Sequence, residues 1–171
     1  MPTNQKFLLV CNHRSKFDPM LVAAKYGKRK IAFITKQENL KVPLAKYFMP
    51  GMCYMGIDRE DKLQSLDVMR KSISLISSGE ASVGVYPEGK RNYGIDLGEF
   101  HEGVFNIAIH AKCPIVVMTI KGTEQIKKRW PRSTNIYMNI EGVIPYEEIE
   151  GKTAISVSNM VHSIMLESLT K

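Results

Sequence analysis

The sequence predicts a single α/β domain in which helices flank a mainly parallel central sheet. Short and fully apolar runs, such as residues 7–11 and 115–120, are typical of parallel strands that are buried on both faces. Segments with helical periodicity alternate with these runs almost throughout the chain. Because 171 residues is an ordinary size for one domain, and no internal repeat or linker interrupts the pattern, we expect one domain over residues 1–171.

The predicted elements follow one another in a regular order. Asp18-Pro19 indicates a helix start, with Asp18 as N-cap and proline at the first helical position. The helix predicted over residues 62–78 has the clearest periodicity of apolar residues, and Gly79 marks its end. Predicted strands cover residues 7–11, 31–35, 53–57, 83–86, 115–120 and 136–140. Predicted helices cover residues 18–26, 62–78, 104–111 and 153–169, and an irregular helix or pair of turns covers residues 36–48.

The charge balance favours polyanionic partners. The chain has 24 Lys and Arg against 17 Asp and Glu, a net charge of +7. Nucleic acids, anionic membrane surfaces and phosphorylated substrates all suit this excess, and the charge by itself does not choose among them.

The cysteines and the apolar runs exclude several other classes. Cys11, Cys53 and Cys113 are far apart and odd in number, so neither a disulfide framework nor a metal site is predicted, and a reducing cytosolic setting follows. No apolar run approaches the roughly 18 residues of a membrane-spanning helix. If the protein acts on lipids, we expect it to lie on the membrane surface.

His13 and Asp18 form the first candidate for chemistry. They flank the junction between the first strand and the first helix, at the edge where α/β sheets bind ligands. A carboxylate that takes the proton on one imidazole nitrogen leaves the other nitrogen as a base, which suits the activation of a substrate hydroxyl. The alternative is that Asp18 only caps its helix and that His13 is an exposed loop residue.

Four blocks in order resemble the 1-acyl-sn-glycerol-3-phosphate acyltransferases, the glycerolipid acyltransferase family. The first is Asn12-His13-Arg14-Ser15-Lys16-Phe17-Asp18, similar to the family pattern Asn-His-x-Ser-x-x-Asp. The second is Gly56-Ile57-Asp58-Arg59. The third, Tyr86-Pro87-Glu88-Gly89-Lys90-Arg91-Asn92, resembles Phe-Pro-Glu-Gly-Thr-Arg-Ser, and the fourth is Cys113-Pro114-Ile115-Val116-Val117.

The resemblance implies transfer of a fatty acyl group from acyl-CoA or acyl carrier protein to the free hydroxyl of 1-acylglycerol-3-phosphate, a lysophospholipid. His13 would then be the general base and Asp18 would orient it. The acceptor-binding residues would be Arg59, Glu88, Gly89, Lys90 and Arg91, with the arginines holding the phosphate. No cofactor beyond the thioester co-substrate and no metal is expected. The alternative for Arg59 and Arg91 is pairing with neighbouring acidic residues.

The chain departs from the family pattern at several positions. Lys90 replaces the usual threonine, Asn92 the usual serine, and His101 stands where lysine is frequent, for which a surface histidine is the default interpretation. The N-terminal membrane-associating segment of the family is expected to be missing, which leaves an inactive fragment as one alternative.

Two segments are candidates for membrane contact, and they lead us to expect a peripheral protein on the cytoplasmic face of an anionic membrane. Residues 40–49 mix apolar side chains with lysines, as interfacial helices do, although packing on the core is the alternative. Trp130 lies among basic residues, which suits the headgroup layer, although a solvated loop is the alternative.

Three alternative functions remain to be weighed. Within the class, the acceptor is glycerol-3-phosphate or another lysolipid. Residues 84–91 nearly match a nucleotide-binding loop, but Arg91 replaces the hydroxyl that holds Mg²⁺ and Glu88 puts a negative charge in the phosphate cradle. Basic clusters also suggest nucleic-acid binding, but neither an aromatic stacking platform nor helix-turn-helix spacing is present, so no nucleic-acid partner is expected.

Overall fold

A six-stranded sheet forms the centre of the described part of the chain, and its strand order is β3-β2-β4-β1-β5-β6. The computed structural model describes residues 1–37, 54–58, 61–94, 96–129 and 131–170. The first five strands in this order pair in parallel, and β6 runs antiparallel to β5. The strands are β1 (Leu8–Cys11), β2 (Ile31–Lys36), β3 (Tyr54–Ile57), β4 (Ser82–Val85), β5 (Ile115–Lys121) and β6 (Tyr137–Ile144).

Helices connect and cover the strands, as the alternating pattern predicts. They are α1 (Asp18–Tyr26), α2 (Lys62–Ser77), α3 (Asn106–Ala111), α4 (Ile126–Arg129), α5 (Tyr146–Ile149) and α6 (Ala154–Thr170). Short 3₁₀ turns cover Gly27–Arg29, Glu102–Phe105 and Thr123–Gln125. The predicted mainly parallel α/β fold is therefore confirmed, with the predicted helix over residues 104–111 divided between a 3₁₀ turn and α3. None of the described helices is both long enough and apolar enough to cross a membrane.

The prediction that Asp18 caps α1 is wrong. Phe17 occupies the N-cap position and makes no side-chain cap hydrogen bond, while Asp18 is the first helical residue. The carboxylate of Asp18 turns back towards the preceding loop, where its Oδ2 atom accepts hydrogen bonds. Asp61 caps α2 in the ordinary way, because its side chain accepts hydrogen bonds from the backbone N–H groups of Leu63 and Gln64.

The sheet is buried on both faces. On β1, Leu8 and Val10 belong to one apolar cluster, and Leu9 and Cys11 belong to the other. Helices α2, α3 and α6 supply the first cluster, and α1 supplies Val22 to the second. Because successive strand residues point to opposite faces, this two-sided burial explains why the strands appear as continuous apolar runs. Because β1 to β5 pair in parallel, their carboxyl ends lie at one common edge.

Candidate active site

His13 and Asp18 are in direct contact at this edge. The distance between His13 Nδ1 and Asp18 Oδ2 is 2.9 Å, and Asp18 is fully buried. The same carboxylate oxygen accepts hydrogen bonds from the backbone N–H groups of Arg14 and Ser15, each at 2.7 Å. Three donors thus compensate the burial of Oδ2, whereas Oδ1 is buried without a hydrogen-bond partner among the described residues, and the two backbone hydrogen bonds close the strand-to-helix loop.

The contact determines which imidazole nitrogen carries the proton. An ionised carboxylate only accepts hydrogen bonds, so Nδ1 of His13 is the protonated nitrogen in its neutral ring. Nε2 is then unprotonated, and 19% of the His13 side chain is exposed. This arrangement can take a proton from a substrate hydroxyl.

The loop after β4 holds the backbone of His13. Glu88 Oε1 accepts a hydrogen bond from the N–H of His13 at 2.8 Å, and Glu88 Oε2 accepts one from the N–H of Gly98 at 3.1 Å. The N–H of Asn92 donates to the carbonyl oxygen of His13 at 2.8 Å. Glu88 is 4% exposed, so both of its oxygens serve the protein interior. The observed role of Glu88 is to hold the backbone of His13. Its contact with an acceptor stays a prediction.

Asn12 was not among the predicted site residues, and it anchors the other side of the loop. Its side chain donates to the carbonyl oxygen of Ile120 at 3.0 Å and accepts from the N–H of Ile120 at 2.7 Å. Both bonds cross from the end of β1 to β5, and the asparagine is 1% exposed. Its place in the first sequence block, directly before His13, could have indicated that Asn12 belongs to the site.

Two further groups near the histidine, the Tyr86 phenol and the Cys11 thiol, have raised pKa values. The ring of Tyr86 stacks on the ring of His13, with centroids 4.3 Å apart and an interplanar angle of 27°. Burial raises the pKa of the Tyr86 phenol well above its usual value of 10. Burial first, and the nearby Asp18 carboxylate second, raise the pKa of the Cys11 thiol well above its usual value of 9. Burial and the raised pKa both disfavour Cys11 as a nucleophile.

A cavity of about 710 Å³ opens beside His13, between the strand ends and α2. Its described lining contains no carboxylate residue but contains the cations Lys36, Lys90 and Arg91, together with His101. The remaining wall is largely apolar, with Phe33, Ile34, Ile57, Met69, Val104 and Ile107. A site that joins a base, cations and an apolar wall suits a ligand with an anionic group and a hydrocarbon chain.

The structure brings most of the predicted site residues together. Gly89, Lys90 and Arg91 line the same cavity as His13, although acceptor binding by these residues stays a prediction. Lys36 and His101 line it too, and sequence reasoning did not assign them to the site. Their positions could have indicated a place in the site, because Lys36 is the last residue of β2 and His101 lies beside the loop after β4. Arg59, Trp130, Cys53 and the candidate membrane segment 40–49 lie outside the described residues.

The fold and the sequence are both similar to those of known acyltransferases. The crystal structure of the 1-acyl-sn-glycerophosphate acyltransferase from Thermotoga maritima superposes with a TM-score of 0.77, over 99% of this chain and 67% of that chain. At 20% identity, this likeness supports the α/β fold alone.

Two curated relatives have related names. A chloroplastic 1-acyl-sn-glycerol-3-phosphate acyltransferase from Arabidopsis thaliana is 29% identical over 160 residues, which is 94% of this chain and 44% of the relative. A probable 1-acyl-sn-glycerol-3-phosphate acyltransferase from Mycoplasma pneumoniae is 33% identical over 120 residues, which is 68% of this chain and 44% of the relative. This chain thus spans less than half the length of either protein.

A family-level match covers most of the chain. The sequence model of the family described as Acyltransferase matches residues 1–121, a range that includes the His13–Asp18 loop and the loop after β4. The order of the four sequence blocks and this match agree: the chain belongs to the Acyltransferase family.

Proposed function

We propose that this chain transfers a fatty acyl group from acyl-CoA or acyl carrier protein to the free hydroxyl of 1-acylglycerol-3-phosphate, which yields phosphatidic acid. The observation that carries the proposal is that His13, paired with the buried Asp18, lies on the wall of a cavity with both cations and apolar residues. Relatives from Arabidopsis thaliana and Mycoplasma pneumoniae, whose names include 1-acyl-sn-glycerol-3-phosphate acyltransferase, add support.

The proposed reaction uses His13 Nε2 as a base and then as an acid. The acceptor hydroxyl gives its proton to Nε2 as its oxygen bonds to the thioester carbonyl carbon. The tetrahedral intermediate then collapses, the carbon–sulfur bond breaks, and the leaving sulfur takes the proton from Nε2. Asp18 keeps Nδ1 protonated and stabilises the positive ring in between. General base catalysis of this kind contributes roughly 10²–10⁴-fold.

The neutral thiol beside the base favours direct transfer over an acyl-enzyme. Cys11 is fully buried and its raised pKa keeps it protonated. Ser15 is 7% exposed, and its hydroxyl oxygen accepts a hydrogen bond from the N–H of Phe17 at 3.3 Å. Neither group is activated by His13, whose described partner is Asp18.

The cavity has a suitable place for each part of the acceptor and the acyl group. Lys90 and Arg91 lie on its wall with His13, and the guanidinium fork of Arg91 matches the oxygens of a phosphate. The apolar wall would hold hydrocarbon, since burial of each CH₂ group is worth about 0.8 kcal/mol. The volume of about 710 Å³ lies within the range of roughly 300–1,000 Å³ found for small-molecule sites.

We further propose that the protein works on the cytoplasmic face of an anionic membrane as a peripheral protein. The acceptor is a lipid, so it is presented at a membrane surface. The net charge of +7 favours attraction to anionic headgroups, at about 1 kcal/mol for each basic residue near the surface. Binding to vesicles with and without anionic lipid tests this part, and equal binding to both would contradict it.

The direct test is acyl transfer from labelled acyl-CoA or acyl carrier protein to lysophosphatidate in vesicles. We expect product from the wild type and at least a roughly hundredfold loss of kcat in His13→Ala. His110→Ala is the matched control, because this histidine is exposed at the end of α3. Activity that survives in His13→Ala would refute the base assignment. Product with glycerol-3-phosphate or another lysolipid alone would refute the proposed acceptor.

A further inference from the structure

Two aromatic rings stack beside the catalytic loop, and Tyr86 is in contact with both the base and the core. Its ring lies 4.3 Å from that of His13, at 27°, and 5.9 Å from that of Phe33, at 16°. Tyr86 directly follows β4, whereas Phe33 lies within β2. The stack therefore connects the histidine to the interior of the sheet.

A glycine makes room for this stack. Gly84 on β4 pairs in register with Phe33 on β2, and a Cβ atom on Gly84 would lie 2.4 Å from Cε1 of the Phe33 ring. That distance is far below ordinary contact, so the phenylalanine ring occupies the space that a side chain would need. The position of the Phe33 ring, and with it the support of Tyr86, thus depends on the glycine.

The hydroxyl group of Tyr86 makes no visible contribution to this arrangement. It is buried and has no hydrogen-bond partner among the described residues. The resembling third block of the family has phenylalanine at this place, which keeps the ring and lacks the hydroxyl. What the histidine contacts is the π face of the ring, and this face is common to both residue types.

The geometry points to Tyr86 as a positioning residue that fixes the plane of His13 and stabilises its positive form during proton transfer. This inference rests on the proposed function, in which Nε2 carries the proton between two steps. Asp18 holds only one atom of the ring, Nδ1, so a second contact is needed to set the ring plane. The stack supplies that contact.

Electrostatics gives the stack a second effect. Lys36, Lys90 and Arg91 line the cavity beside His13, and cations there oppose a positive imidazole ring. The groups that favour the positive ring are the carboxylate of Asp18 at one edge of the ring, the carboxylate of Glu88, which accepts a hydrogen bond from the N–H of His13, and the π face of Tyr86. A cation within about 6 Å of an aromatic centroid is attracted by the ring quadrupole, and the centroid separation of 4.3 Å lies within that range.

The experiment compares Tyr86→Leu with Tyr86→Phe, which keeps the ring. Tyr137→Leu is the matched control, because that tyrosine is 56% exposed on β6. In Tyr86→Leu we expect kcat to fall roughly 3- to 30-fold, the size of a cation–π contact, with KM for lysophosphatidate nearly unchanged. Tyr86→Phe and Tyr137→Leu should both keep the wild-type kcat. If Tyr86→Leu does not fold, as judged by circular dichroism, Tyr86→Met replaces it.

A second readout needs no enzyme activity. In the ¹H–¹³C NMR spectrum of the histidine rings, the ring current of Tyr86 should shift the His13 signals upfield. His13→Ala identifies these signals among those of the four histidines. The upfield shift should persist in Tyr86→Phe and disappear in Tyr86→Leu.

The outcomes separate this inference from the proposed function. His13 signals at ordinary positions in the wild type, or a wild-type kcat in folded Tyr86→Leu, would overturn the positioning role. A rise in KM with unchanged kcat would also overturn it, because it would assign Tyr86 to substrate binding. A wild-type chain that acylates no acceptor would overturn the proposed function, whereas the NMR signals would still report whether the stack exists.

Discussion

Glu88→Gln tests whether this glutamate holds the catalytic loop or binds the acceptor. In the wild type, its two oxygens accept hydrogen bonds from the N–H groups of His13 and Gly98, at 2.8 and 3.1 Å. Glutamine has the same shape, but its amide nitrogen donates, so it can satisfy only one of these donors. A hydrogen bond to a charged group is worth about 1.5–3 kcal/mol, and we expect the free energy of unfolding to fall by this amount.

The kinetic effect follows from the position of His13. When its N–H loses a partner, the imidazole ring moves relative to the acceptor, and a displacement of about 1 Å costs on the order of 10²-fold in rate. We therefore expect kcat to fall roughly 10- to 100-fold, with KM for lysophosphatidate within about threefold of the wild type. Urea unfolding and steady-state acyl transfer measure the two effects.

The matched control for this substitution is Glu99→Gln, because Glu99 is exposed near the end of the same loop. It should leave both the stability and kcat unchanged. If Glu88→Gln instead raises KM strongly and keeps kcat, Glu88 binds the acceptor as the family resemblance implies, and the positioning argument is refuted. An unchanged stability would contradict the hydrogen-bond argument itself.

Three further predictions concern other buried groups. Asp18→Asn should lower kcat on the order of 10³- to 10⁴-fold because the histidine tautomer is lost. Asp67→Asn is the control, because the Asp67 side chain is 74% exposed, and it should leave kcat unchanged. Equal rates of acyl transfer in the two variants would refute the role of Asp18. Gly84→Ala should destabilise the fold by about 1–3 kcal/mol, because the added methyl group clashes with the Phe33 ring. Gly27→Ala is the control, because no atom lies within 4 Å of the position of its added Cβ, and it should leave the stability unchanged. Equal urea midpoints for the two variants would refute the clash. Burial raises the pKa of Cys113 from 9.0 to about 12, so the unfolded thiol ionises first, and the free energy of unfolding should fall as pH rises from about 9 to about 12. Cys113→Ala should make this decline shallower by up to about 1.4 kcal/mol per pH unit, and parallel pH profiles of the two proteins would contradict the assignment.

The local sequence was enough to predict the His13–Asp18 pair. The two residues are five positions apart and flank one strand-to-helix junction, and the sequence block around them, which resembles the family pattern, favoured their contact over a helix cap and an exposed histidine. Even here one local rule failed, because Asp18 does not cap α1. Its carboxylate has three donors in the loop before the helix, and these outweigh a single hydrogen bond to the helix end.

The alternation of apolar runs and helical periodicity also predicted the architecture. Runs such as β1 and β5 have no polar alternation because both faces of the sheet are covered, and this condition is characteristic of parallel sheets. Order, handedness and pairing partners of strands do not follow from such runs. The position of β1 between β4 and β5 became known only from the structure.

What the sequence by itself determined was therefore the fold class, the strand-to-helix junction and the histidine–aspartate pair within it. What only the tertiary structure decided was the surroundings of that pair. Glu88 is 75 residues from His13, and Asn12 is 108 residues from the backbone groups of Ile120 that it binds. The stack of Tyr86 on His13 is likewise a contact between separate strand ends. Local patterns report only what a segment contributes, whereas the partners of a buried donor, acceptor or ring depend on which segments the sheet brings to the same edge.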